Sequence, residues 1–179
     1  MPRTSESGHL SDQHILMARY ADGQLKTVDI NSTRSAIKSL LDTYRAANAP
    51  IIHIWHKTPS GAPVFTPDTP LSQIFDVLKP QDQETVISKL HPGSFTGTNL
   101  QEVIEQTGRK QVALVGYMAH VCVSTTARQA AERGYDVVLV KEAIGDRDIP
   151  GIQAGELVET VLKELADAFG TVVSIDDVK

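Results

Sequence analysis

Three observations predict an α/β fold, with a parallel sheet covered on both faces. Short apolar runs alternate along the chain with longer segments of helical periodicity. The runs Ile51–Trp55, Val112–Val115 and Val137–Val140 are almost continuously apolar. That pattern suits strands buried on both sides better than strands with one wet face. The chain has 179 residues and no linker-like tract, which suits one domain over 1–179 with a sizeable core.

The elements follow in order. Residues 1–13 are polar and read as a flexible end without a signal-peptide pattern. His14–Ala18 is a first short strand, and Tyr20–Ile30 a loop that turns at Asp22-Gly23. Asn31 or Ser32 is expected to cap the first helix. Ile37, Leu40, Leu41 and Tyr44 give that helix its apolar face, and Asn48 with Pro50 end it. Ile51–Trp55 is the second strand. The prolines at 59, 63, 67 and 70 exclude regular structure from Lys57–Pro70, a loop placed to wall a site. Leu71–Leu78 holds a turn of helix, and Thr85–Ser88 is a strand leading to Lys89. Leu100–Thr107 is a helix stopped by Gly108. Val137–Val140 is a further strand. Ala154–Phe169 is an amphipathic helix with Leu157, Val158, Val161, Leu162 and Leu165 on one stripe, and Thr171–Ile175 is a last β-prone run.

The stretch Gln111–Gly134, QVALVGYMAHVCVSTTARQAAERG, carries the sole cysteine. The apolar run Val112–Val115 ends at Gly116, and a helical pattern starts at about Val121, with Val123, Ala127, Ala130 and Ala131 on one face and Gly134 as its C-terminal cap. Cys122 therefore falls where a strand end turns into a helix. Main-chain N–H groups at a helix start bind anions, and the dipole there favours a thiolate. Open α/β sheets also place their sites at the carboxyl ends of strands. Position alone leaves a buried structural cysteine as the commoner outcome.

Composition narrows the function classes. A net charge of −5 argues against nucleic-acid and anionic-membrane partners, and no apolar run is long enough for a membrane span. One cysteine excludes an intramolecular disulfide framework and fits a reducing, cytoplasmic setting.

The pattern G-Y-M-A-H-V-C-V-x-x-T-A-R-x-A-x-x-x-G-Y resembles the signature of the isochorismatase-like cysteine hydrolases, from about Tyr20 to Val178. The resemblance implies a three-layer α/β/α, Rossmann-like sandwich with a six-stranded, mainly parallel sheet in the order 3-2-1-4-5-6. It implies a cysteine-dependent hydrolase with Cys122 as nucleophile, acting on a small amide or carbamoyl-type C–N bond through a covalent thioester. Lys89 takes the family lysine's place, in a block that Pro92, Phe95, Thr98 and Leu100 complete. The implied oxyanion hole uses the main-chain N–H groups of Met118 and Cys122, with a cis peptide between Tyr117 and Met118. Also implied are a small-molecule substrate, no cofactor, no metal and a homo-oligomer.

Two departures stand out. The family aspartate ends the first strand, about five residues before an aromatic that matches Tyr20; Ile15 stands at that place, and Met17 at the place of a glutamine. Asp12 and Asp22 are the nearest carboxylates in the chain and fit the pattern poorly. Ala119 replaces a frequent threonine. The family's D-A-x-x-x-R-D appears as Glu142 to Asp148 and reads as structural, fixing a loop and subunit contacts. His53 and His56 lie i and i+3 on a strand and its exit, which turns them to opposite faces and disfavours a shared metal. His91 and His120 border the expected site, and Tyr20, Trp55, Phe65 and Tyr117 are candidate lining residues. Besides the C–N hydrolase, the missing aspartate motivates a catalytically impaired member kept for binding or assembly. The third reading is an isochorismate (vinyl-ether) hydrolase; the resemblance implies that the siderophore-pathway enzymes of that kind lack the cysteine.

Overall fold

The computed structural model describes the backbone of residues 13–17 and all of 25–58 and 75–178. The strands are β1 (Gln13–Met17), β2 (Ile51–His56), β3 (Thr85–Lys89), β4 (Gln111–Tyr117), β5 (Asp136–Gly145) and β6 (Thr171–Val173). They join in one six-stranded sheet in the order β3-β2-β1-β4-β5-β6, and every adjacent pair is parallel. The helices are α1 (Ile30–Ala46), α2 (Leu100–Gln106), α3 (Ser124–Glu132) and α4 (Ala154–Ala168).

Strand alternation sorts the side chains into two cores. On one face Ile52, Ile54, Ile87, Val112, Leu114, Val137 and Leu139 pack with Leu100 and Ile104 of α2, Ala127 and Ala130 of α3, and Val161 and Leu165 of α4. On the other face Ile51, Val115, Tyr117 and Val140 pack with Ile37, Leu40, Leu41 and Tyr44 of α1. The periodic residues expected to bury on α1 do so, at 1–2% exposure. Helices on both faces cover the sheet, so its strands carry apolar residues on both sides.

Several boundaries differ from the sequence reading, each for a local reason. The α1 helix starts at Ile30, ahead of both expected caps, Asn31 and Ser32; Asp29 precedes it at φ 49°, and its carbonyl accepts the Thr33 N–H. Gly116 does not end β4: it sits inside the strand at φ 116°, where the pairing with β5 shifts register between Leu114 and Gly116. That conformation is open to glycine and strained for other residues. The last strand stops at Val173, because Ser174 and Asp177 form a capping box over a short 3-10 turn, Ile175–Asp177. β2 and β3 each run one residue further than expected, to His56 and Lys89.

Candidate active site

Lys89 closes β3, and its side chain shares the face of Ile87, toward α2, α3 and α4. His56 is its register partner at the end of β2, and the Lys57 N–H donates to the Lys89 carbonyl at 2.9 Å. After β4 comes a cis peptide between Tyr117 and Met118. The helix expected from Val121 begins earlier, at Ala119, as a π-turn spanning Ala119–Val123, and α3 follows it directly. The Met118 carbonyl accepts from Val121 N–H at 3.2 Å and from Val123 N–H at 3.1 Å, which fixes the turn. Cys122 lies inside this turn, 2% exposed, on the same face of the sheet as Lys89.

The two predicted catalytic side chains meet. The Cys122 sulfur lies close enough to the Lys89 ammonium to act on it by charge and hydrogen bonding. The ammonium also donates to the Pro92 carbonyl. Lys89 is only 2% exposed, and burial pushes its ammonium below the ordinary lysine range while Cys122 opposes that shift. A buried cation held against a thiol stabilises negative charge on the sulfur. His56 is pushed down to about 4, by burial first and then by the charges of Lys89 and His91, so it is neutral at pH 7. His91 is exposed at the rim.

The block after Lys89 explains its own residue types. Phe95 is buried in the core beside Leu100. The Thr98 hydroxyl accepts from the Leu100 N–H at 3.3 Å, at the start of α2. Ser94 bonds through its N–H and its hydroxyl to the Thr126 hydroxyl of α3, at 3.1 and 2.9 Å. The lysine loop is thus tied to the helix that follows the cysteine turn. Ala119, the first residue of that turn, is fully buried.

The remaining candidates separate. His53 faces the α1 side of the sheet, where its Nε2 lies 2.7 Å from Glu84, and Arg45 grips the same carboxylate at 2.6 and 2.8 Å. It shares no site with His56. Trp55 is half-buried, with Lys57 stacked 5.0 Å over its ring. Tyr117 is buried in the α1-side core. Asp12, Asp22, Tyr20 and Phe65 lie outside the described residues, as do the side chains of Ile15 and Met17. Glu142 accepts from Ser174 Oγ and the Ile175 N–H, and Asp148 Oδ1 accepts from the Ala154 N–H at 2.8 Å, both holding loops and helix starts. Sequence reasoning did not foresee that Asp146 would bind His120 of the cysteine turn, at 2.7 Å between Oδ2 and Nδ1. The two lie 26 positions apart, so only the fold brings them together.

The model of the isochorismatase domain matches residues 12–177. The chain belongs to the isochorismatase family. It is 58% identical over 159 residues to a secreted isochorismatase effector of Verticillium dahliae, covering 89% of this chain and 84% of the relative. An N-carbamoylsarcosine amidase of Arthrobacter is 33% identical over 111 residues, 62% of this chain and 40% of that protein. The crystal structure of an isochorismatase from Pseudomonas putida superposes with a TM-score of 0.93 at 31% identity, covering 99% of this chain and 95% of that one. Within that family's fold the chain brings a buried lysine and a buried cysteine together.

Proposed function

We propose that this isochorismatase-family hydrolase uses Cys122 as its nucleophile on a small amide or carbamoyl C–N bond. The observation that carries this reading is the burial of Lys89 and Cys122 together, each 2% exposed, with the sulfur acting on the ammonium by charge and hydrogen bonding. The sulfur adds to the carbonyl carbon, and the resulting oxyanion accepts hydrogen bonds from the main-chain N–H groups of Met118 and Cys122. Collapse breaks the C–N bond. The amine leaves with the proton the thiol gave up, and a thioester remains on Cys122. Water then cleaves the thioester and restores the thiol. The amidase name of the Arthrobacter relative supports the C–N class.

A second reading, vinyl-ether hydrolysis of isochorismate, is favoured by the name of the fungal relative at 58% identity. One panel separates the two: amine or ammonia release from small amides and N-carbamoyl compounds, and pyruvate release from isochorismate, with parent protein, Cys122→Ala and Lys89→Met. The C–N reading expects amine release that both variants abolish. Pyruvate release that survives Cys122→Ala replaces it with the second reading. Inactivity of the parent on the whole panel fits the impaired member. We further propose a homo-oligomer, which light scattering tests. A reducing compartment is supported by the lone free cysteine, whereas the fungal relative is named as secreted, so fractionation of the source cells decides.

A further inference from the structure

Asp146 ends the β5 region, with its side chain fully buried. Its Oδ2 accepts the main-chain N–H of His120 at 2.8 Å. Both carboxylate oxygens lie near His120 Nδ1, at 2.9 and 2.7 Å. Oδ1 also accepts the Arg147 N–H at 2.8 Å, and the Asp146 carbonyl accepts the Val28 N–H at 2.9 Å. One buried residue thus ties together the cysteine turn, the loop beyond β5 and the segment entering α1. His120 and Cys122 are two positions apart in a π-turn, so their side chains leave it on nearly opposite sides. Cys122 meets Lys89 on one side, and His120 is gripped by Asp146 on the other.

We infer that Asp146 is a positioning residue for Cys122. By clamping the ring and N–H of His120, it fixes the rotation of the turn and so the seat of the sulfur against Lys89. The approach of both Asp146 oxygens to Nδ1 selects the His120 tautomer with its proton on that nitrogen, as a buried carboxylate orients an imidazole in other sites. This inference rests on Cys122 being the reactive group. It goes further by assigning the turn's orientation to a residue that touches neither the sulfur nor the lysine's contacts.

The test is the rate of Cys122 alkylation by iodoacetamide across pH, read by mass spectrometry, with thermal unfolding of each protein in parallel. The proteins are the parent, Asp146→Asn, His120→Ala and the double variant. Misplacement of a reacting group by about 1 Å costs up to about 100-fold, so Asp146→Asn is expected to slow alkylation by about tenfold or more. The pH of half-maximal alkylation shifts with it, while the unfolding midpoint stays within a few degrees. The double variant is no slower than Asp146→Asn, since both changes break one link. Alkylation of Asp146→Asn at the parental rate and pH overturns the inference. If Asp146→Asn folds poorly, His120→Ala decides alone, and a parental rate and profile there overturn the inference. A parent no more reactive than a free thiol overturns the nucleophile reading and this inference together; a reactive parent with unresponsive variants overturns this inference only.

Discussion

Adding one carbon at Gly145 is a direct probe of how tightly the site is built. A Cβ there would stand 2.9 Å from Tyr117 Cε1, 3.0 Å from Tyr117 Cδ1 and 3.2 Å from Thr27 Cγ2. Carbon atoms rest near 3.5 Å or beyond, so the ring must withdraw by about 0.6 Å. Tyr117 is 1% exposed and packed in the α1-side core, which leaves it little space to move. Gly145→Ala should therefore cost about 1–3 kcal/mol by overpacking. For a chain of this size that lowers the unfolding midpoint by roughly 2–12 °C. Gly155 in α4 is the control, because nothing lies within 4 Å of a Cβ added there. Gly155→Ala should raise stability by up to about 1 kcal/mol, through helix propensity and a less free unfolded chain. Thermal unfolding followed by circular dichroism measures both. Since Tyr117 leads directly into Met118 and the cysteine turn, Gly145→Ala should also slow Cys122 alkylation. A Gly145→Ala protein that melts with the parent, or a Gly155→Ala protein that loses as much, refutes the packing argument.

Other predictions concern charge and backbone contact. Glu84 is held at about 2, below its ordinary 4.5: burial opposes this, and the hydrogen bonds from Arg45, Gln81 and His53 outweigh it. Its folded value is depressed, so its contribution of about 3 kcal/mol is present above pH 4.5 and lost as pH falls toward 2. His53 is lowered, chiefly by burial, so folding also loses stability as pH falls below the ordinary histidine value of 6.5. Urea unfolding should show a plateau near neutrality and a decline through acid; stability that holds unchanged down to about pH 3 refutes this assignment. Lys89→Met removes a buried ammonium that burial already disfavours, so it should unfold at or above the parental temperature while losing reactivity. A large fall in its midpoint counts against that view of the lysine. Gly170→Ala would press a Cβ to 2.6 Å from the Val137 carbonyl oxygen, and should destabilise by about 1–3 kcal/mol, read by the same melts.

What the sequence revealed depended on whether the signal was local. The apolar runs and the 3.6-residue stripe of Ile37, Leu40, Leu41 and Tyr44 report burial directly, so the α/β class and most elements could be read from them. The pairing of Lys89 with Cys122 was legible only through the family block, because an isolated lysine is nearly always a solvated one. Boundaries failed where tertiary contacts decide them. Gly116 looks like a strand end, yet the β4–β5 register shift accommodates it. Asn31 looks like a cap, yet the turn at Asp29 starts α1 earlier. The Asp146–His120 clamp and the Arg45–Glu84–His53 cluster join residues far apart in the chain, and no periodicity encodes them. A histidine two places before the cysteine and an aspartate just beyond a strand were the available hints.

The central proposal is that Cys122, seated beside Lys89, is the reactive group of the site. Its most direct measurement is the iodoacetamide alkylation rate of Cys122 at mildly acidic pH, in the parent and in Lys89→Met, with N-acetylcysteine as reference. The account predicts a parent that reacts well ahead of the free thiol, and a Lys89→Met protein, folded to the same extent, that loses about tenfold or more. Equal rates in parent, variant and free thiol would contradict it.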